Sequence, residues 1–292
     1  MRRISFVVPP EYEGAMVKVF LRNRHGVSAG ILAAAKRISG GILVNGEAAY
    51  AIRIVHAGDT VTFLAEEKPS SALPVLLPFN AVYEDEDFFV VEKPPAMPMY
   101  PTPGHDADSL MNATAWHFRK KGLPSVFYPL YRLDRDTTGL VLLAKNSYAA
   151  SAAIKTVQKE YVAFCRGNLR GKGREEGKIG LLPGHKVQRC VCEEGDPAVT
   201  NWEVLESGNN LSLLRFLLET GRTHQIRVHM AHRGNPLEGD DLYGGSLHYI
   251  HRQALHVSQM TFFHPVKEQQ MKFLSPVPPD MQRVYSVLKG SK

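Results

Sequence analysis

The stretch Tyr131-Arg132-Leu133-Asp134-Arg135-Asp136-Thr137-Thr138-Gly139 crowds two carboxylates, two guanidinium groups and two threonines together, then runs into the apolar segment 140–144. A polar loop at the mouth of a buried strand is a common carrier of catalytic groups, because the strand holds it still. Asp134 and Asp136 could be a metal pair or two glycosidase carboxylates. Flanking Arg132 and Arg135 would compete with a cation, however, and residues two apart in a loop have no set separation. The other reading is a turn stabilised by aspartate side chains.

A second dense stretch runs Gly221-Arg222-Thr223-His224-Gln225-Ile226-Arg227-Val228-His229-Met230-Ala231-His232-Arg233-Gly234-Asn235-Pro236-Leu237-Glu238-Gly239-Asp240. With a helix starting near Thr223, Arg227 lies one turn after His224 and both can face one cleft near the helix start. The three histidines lack the His-x-x-x-His pair of a zincin helix, and no carboxylate is placed as the base, so no metal is expected. A solvated helix face rich in His and Arg is the alternative.

The elements that must position these stretches follow from patterning. Val17, Phe20 and Leu21 sit at helical spacing, as do Ile31, Ala34 and Ala35; then Ile42-Leu43-Val44-Asn45-Gly46-Glu47 reads as a strand meeting an Asn-Gly turn. Together with a strand over 60–64 they make a small unit over 12–64, and the Pro- and Ser-rich stretch 66–78 reads as a linker. The expected division is a front domain with its linker over 1–75 and a larger domain over 76–292. In the larger domain, strands are expected at 88–92, 139–145, 160–166, 198–206, 211–219 and 254–263. Helices are expected at 108–121, 147–158 with a serine cap, 223–232 and 279–289. Grouped strands with irregularly inserted helices predict an α+β fold: a largely antiparallel mixed sheet flanked by helices.

Composition bounds the rest. A chain of 292 residues carries a prior of roughly two domains, and 44 % hydrophobic with 22 % charged residues excludes disorder and collagen-like repeats. The net charge of +6 is compatible with a polyanionic partner without demanding one. Residues 155–190 hold 9 basic and 3 acidic side chains, a surplus equal to that of the whole chain, and read as a strand and loop meeting phosphates or as a flexible solvated loop. No apolar run reaches the roughly 18 residues of a membrane helix. Pro9, Pro10, Glu11 and Glu13 interrupt any signal-peptide core, so the N-terminus reads as mature sequence. Cys165, Cys190 and Cys192 give no disulfide framework or zinc-finger spacing, and the expectation is reduced thiols in a cytoplasmic protein.

Taken together the motifs resemble a known family. Residues 131–145 are similar to the His-Arg-Leu-Asp-x-x-Thr-Ser-Gly-Leu motif of the large-subunit rRNA (RluA-type) pseudouridine synthases, and 221–245 to that family's second signature. Val91-Glu92-Lys93-Pro94-Pro95, Arg252-Gln253-Ala254-Leu255-His256 and Phe263-His264-Pro265 agree with it, in family order over about 80–275. Residues 12–64 resemble the S-four-type RNA-binding domain often fused in front.

The resemblance implies isomerisation of a flipped-out uridine in RNA to pseudouridine, with no cofactor and no metal. It implies Asp134 as the catalytic aspartate, either nucleophile at the anomeric carbon or remover of a ribose proton. Arg227 would supply the compensating charge beside it, and Tyr161 would lie against the uracil. Arg132 would enter the space the base vacates, and Arg222, His224 and Gln225 would bind substrate. Ribosomal RNA, or else tRNA, is the implied partner of a monomer that binds no membrane. The chain departs from the family at Tyr131, usually histidine, and Thr138, usually serine; a tyrosine keeps a planar ring and one polar hydrogen but not the titration. A catalytically silent RNA-binding protein is the rival reading, and a nucleosidase a third.

Overall fold

The structure, a computed structural model, describes residues 1–290. Strands β1 (Arg2–Val7), β2 (Ile42–Val44), β3 (Glu47–Ala48) and β4 (Thr60–Ala65) form a small sheet in the order β1-β4-β2-β3. Helices α1 (Val17–Asn23) and α2 (Ala29–Lys36) bury Phe20, Leu21, Ile31 and Leu32 in a core shared with Ile4, Val44 and Phe63. Strand β1 lies outside the unit expected from 12 onward. Ile4 and Phe6 alternate inward at period two, but Arg2, Arg3 and the following Pro9-Pro10 hide that pattern, and the strand forms because β4 offers it a partner, Ile4 opposite Phe63. Residues 66–79 contain no helix or strand.

The remaining strands build one large sheet: β5 (Asn80–Glu84), β6 (Phe88–Lys93), β7 (Tyr128–Pro129), β8 (Thr138–Ala144), β9 (Gln158–Arg166), β10 (Lys172–Leu181), β11 (Arg189–Val191), β12 (Asp196–Gly208), β13 (Leu211–Leu218), β14 (Leu255–His264) and β15 (Gln269–Leu274). Its order is β11-β10-β12-β13-β9-β14-β8-β6-β5, with β15 beside β14 and β7 beside β8. Every pairing is antiparallel except β14 with β8, the largely antiparallel mixed sheet expected. Helices α3 (Leu110–Lys120), α4 (Ser147–Ala153), α5 (Gln225–His232) and α6 (Pro279–Leu288) complete the chain. Central strands are buried on both faces, which is why they read as continuous apolar runs. On β9, Tyr161, Ala163 and Cys165 join the core that holds Ile226 and Met230 of α5, while Val162 and Phe164 pack with Met281 and Val284 of α6.

Three local expectations are corrected. Helix α4 is shorter than 147–158, and its cap is Asn146, whose side chain accepts from the Ala149 N–H at 2.8 Å, rather than a serine. β5, β7, β10, β11 and β15 were not expected; β10, with three glycines and five charged residues, carries no apolar alternation to read. Half of the segment 167–190 is therefore strand, making it a β-arm rather than a plain loop. The two units touch through Tyr148 of α4, which is fully buried in the front core and donates to the His25 carbonyl at 2.9 Å, and through the Arg2–Asp87 ion pair at 3.1 Å.

Candidate active site

Gly139 ends the polar loop for a steric reason. Its φ is +111°, and a Cβ there would stand 2.4 Å from the Val257 carbonyl oxygen, because β8 meets β14 in parallel at this point. Thr138 is buried beside it, its hydroxyl 2.8 Å from His256 Nδ1, so the methyl that distinguishes it from serine is accommodated. Tyr131 donates its hydroxyl to the Leu140 carbonyl at 2.8 Å. Burial, then the neighbouring Tyr161, pushes its phenol well above the ordinary range; the ring packs and hydrogen-bonds but does not titrate.

The loop has a second anchor, Lys93, which sequence reasoning quoted within a motif without giving it a role. Its ammonium, 1 % exposed, donates to the carbonyls of Pro94, Met97 and Arg135 at 2.9, 2.9 and 2.7 Å. Burial pushes its pKa down to about 7, against the pull of Asp136 and Asp134. Three acceptors need three N–H donors, though, which only the charged form supplies. Replacing it, Lys93→Met, strands those carbonyls and frees the residue next to Asp134. We expect a loss of about 1–3 kcal/mol in urea unfolding and a kcat lower by up to about 10²-fold, since small misplacements of reacting groups cost that much.

Asp134, about a quarter exposed, accepts from Arg227 Nη1 at 3.2 Å. The other edge of the same guanidinium grips Asp240 in a two-pronged pair, Nε to Oδ2 at 2.7 Å and Nη2 to Oδ1 at 2.8 Å. Both Arg227 and Asp240 are buried. Burial alone would lower the arginine's pKa, but the hydrogen bonds and charge of Asp240, with Asp134 behind them, outweigh it and raise it. The guanidinium is thus a permanent cation aimed at Asp134 by a carboxylate on its far side. Its plane also lies over Tyr243, 5.0 Å from the ring centre. Tyr243 in turn places His224: its hydroxyl is 2.8 Å from His224 Nδ1, leaving Nε2 3.9 Å from Asp134. Burial lowers the His224 pKa, despite the pull of Asp134. His224 adopts φ +59° as the cap of α5, so the helix begins two residues later than expected and Arg227 falls in its first turn.

Asp134, Arg227, His224, Tyr161, Arg132 and Arg222 all line one cavity of about 350 Å³, with Leu130, Leu218, Ile226 and Leu255 among its apolar walls. Tyr161 projects from β9, 6 % exposed; burial, then the charge of Asp134, raises its phenol's pKa. Arg132 is exposed and makes no ion pair among the described residues; Arg135 occupies Asp136 at 3.2 Å in its place. Arg222 sits at the rim, donating to the Pro197 carbonyl at 3.1 Å.

Gln225 is corrected. Its amide is buried and committed within the protein, accepting from Thr220 and the Arg222 N–H and donating to Val199 and Thr200. It fixes the start of α5 instead of offering hydrogen bonds to a ligand.

Sequence reasoning also missed Lys159. It lies two residues before Tyr161 and so on the same face of β9. Its ammonium stands 4.0 Å from the Tyr131 ring centre, and burial lowers its pKa to about 8. That two-residue spacing was the available signal; Asp240 stands in the same signature stretch as Arg227, but spacing alone gave it no role as the arginine's partner.

The basic surplus over 155–190 does not act as one patch. Arg174 pairs with Glu176 and Glu219, and Lys178 donates to the Glu193 carbonyl. Lys159 lines the first cavity, while Lys186 and Arg189 line an adjoining one.

A fixed cation paired to a half-buried carboxylate in an apolar-walled cleft fits chemistry on a nucleotide-sized ligand. The model for the family described as RNA pseudouridylate synthase matches residues 87–232. A Bacillus subtilis protein named uncharacterized RNA pseudouridine synthase YjbO is 35 % identical over 267 residues, covering 89 % of this chain and 94 % of its own. A ribosomal large subunit pseudouridine synthase D of Xanthomonas campestris is 34 % identical, covering 86 % of this chain and 82 % of its own. The solved structure of human RNA pseudouridylate synthase domain containing 1 superposes with a TM-score of 0.57 at 24 % identity, over 77 % of this chain and 98 % of that one, which speaks to the fold. The chain belongs to the RNA pseudouridine synthase family. It is therefore an isomerase that converts uridine in RNA to pseudouridine. Among the described residues, no helix is long and apolar enough to cross a membrane.

Proposed function

We propose that this enzyme isomerises a uridine of large-subunit ribosomal RNA, acting as a cytoplasmic monomer, with Asp134 as the reacting carboxylate. The observation that carries the reading is the guanidinium of Arg227, held by buried Asp240 and presented to Asp134 inside a cavity that also contains Tyr161. A flipped uridine reaches such a cavity only after leaving its stack, at a cost of a few kcal/mol. Stacking on Tyr161 returns about 1–3 kcal/mol per base, and Arg132, which makes no ion pair among the described residues, is available to fill the vacated space. The named ribosomal relatives support the choice of RNA. Residues 1–75 form the proposed RNA-binding domain of the S-four type; Arg22, Arg24, Lys36 and Arg37 on its two helices are exposed and make no ion pair among the described residues.

Bond formation at the uracil C5 expels its hydrogen, so tritium release from 5-tritiated uridine reports turnover. The Tyr161 phenol stays protonated near neutral pH and can take up the C5 proton only as a relay, passing its own hydroxyl proton to the Asp134 carboxylate in the same cavity. Tyr161→Phe is expected to keep KM and lower kcat by about 10²-fold, the usual size of a proton-transfer contribution, whereas Tyr161→Leu raises KM as well. Mapping pseudouridines in cellular ribosomal RNA with and without the gene tests the whole reading. Loss of a large-subunit site is expected, and an unchanged map overturns it.

A further inference from the structure

A second cavity, of about 510 Å³, adjoins the first. The two share Arg132, Leu133, Asp134, Thr223, His224 and Arg227, so they are halves of one cleft with Asp134 at the junction. The rest of its lining comes from the Pro-rich loop carrying Tyr100 and from the arm carrying Lys186 and Arg189. Arg132, Lys186 and Arg189 make no ion pair among the described residues, and Arg189 Nε is buried with no hydrogen-bond partner. Of the carboxylates on this wall, Asp134 and Asp136 are engaged by Arg227 and Arg135, which leaves exposed Asp241 against three cations.

The arm is not free to drift. The Arg189 N–H donates to the Tyr243 hydroxyl at 2.9 Å, and the Gln188 amide to the Leu242 carbonyl at 3.0 Å. Tyr243 is the same residue that holds His224 and stacks on Arg227, so the arm's cations are set at a fixed place relative to Asp134. The Tyr100 ring, lining the same cavity, is 38 % exposed, and burial keeps its phenol above the usual range.

We infer that this second cavity is the seat of a nucleotide bonded to the reacting uridine: Lys186 and Arg189 bind the phosphodiester that joins the two, and the neighbour's base stacks on Tyr100. The inference rests on the isomerase reading above. The volume lies in the range of roughly 300–1,000 Å³ that nucleotide-sized ligands occupy. A cavity lined by three cations without ion pairs and one exposed carboxylate calls for an anion, and a nucleotide bonded to one in the first cavity brings its linking phosphate with it. Stacking accepts any base, because each has a π-face, and phosphate contacts set register without reading sequence. This subsite therefore selects for a continuous strand, not for the neighbour's identity.

The test uses the full chain and an unmodified large-subunit ribosomal transcript. Lys186→Ala/Arg189→Ala is expected to raise KM about tenfold while kcat falls by much less. The slope of log KM against log salt should flatten by about 0.7, one single-strand phosphate contact's worth. Tyr100→Ala should raise KM about fivefold or more, and Tyr100→Phe should restore it; a merely structural arm would not give that split. Filter retention of the transcript by the same variants reads the subsite without turnover. Unchanged retention and salt slope in the double variant overturn the subsite. Flattened retention slopes in the variants, with no tritium release even by the wild type, uphold the subsite and overturn the isomerase reading alone.

Discussion

Asp134→Asn is expected to lower tritium release from a ribosomal transcript by at least about 10³-fold, the scale on which removing a reacting group acts. Transcript affinity should stay within a few-fold. The amide fills the same volume and still accepts from Arg227 Nη1, so the loop geometry set by Gly139 and Lys93 survives. What it removes is the anion, which both proposed roles need: attack on the anomeric carbon uses a carboxylate lone pair, and removal of a ribose proton needs somewhere to put it. An active Asp134→Asn enzyme would mean that the reacting group lies elsewhere in the cleft. The measurement separates chemistry from binding because the unpaired cations of the cleft are untouched.

The second large effect is at Arg227. Arg227→Met leaves Asp240, 1 % exposed, as an uncompensated buried charge, which costs about 3–5 kcal/mol when one partner of a buried pair is removed. Urea unfolding should show that loss, and activity should fall with it because Asp134 loses its fixed cation. Two further variants keep the prediction sharp. Arg227→Lys retains a charge but cannot grip Asp240 in two prongs while reaching Asp134, so stability should return in part and activity should not. Arg227→Met/Asp240→Leu removes both charges, and apolar replacement of a whole buried pair is often neutral. That double variant should fold with near wild-type stability and remain inactive. Should it regain activity, Arg227 would be scaffolding and no part of the reacting centre.

Much of this centre was legible in the chain. The loop 131–139 announced itself because its polar residues abut an apolar run, and the motif resemblance singled out Asp134, Arg227 and Tyr161, which the fold brings to one cavity. Apolar patterning located the central strands, whose side chains are buried on both faces. It failed where burial does not write the sequence. Strand β10 is charged and glycine-bearing, and β1 is a strand only because β4 stands beside it. Gln225 looked like a ligand-binding amide, since a sequence does not show that Val199 and Thr200 consume its hydrogen bonds.

By itself, then, the sequence determined which residue types can react and which segments must be buried, because side-chain chemistry and hydrophobic period are local properties. Pairing across the chain was decided only in three dimensions. Arg227 faces Asp134 because Asp240, thirteen residues onward, holds its other edge. Lys93 reaches Arg135, forty-two residues away, through the register of β6 against β8. The basic excess over 155–190 divides into cations already paired and the few that face the cleft, a distinction that depends on where each ammonium or guanidinium finds a carboxylate. Charge adds up along a chain, but it acts according to distance.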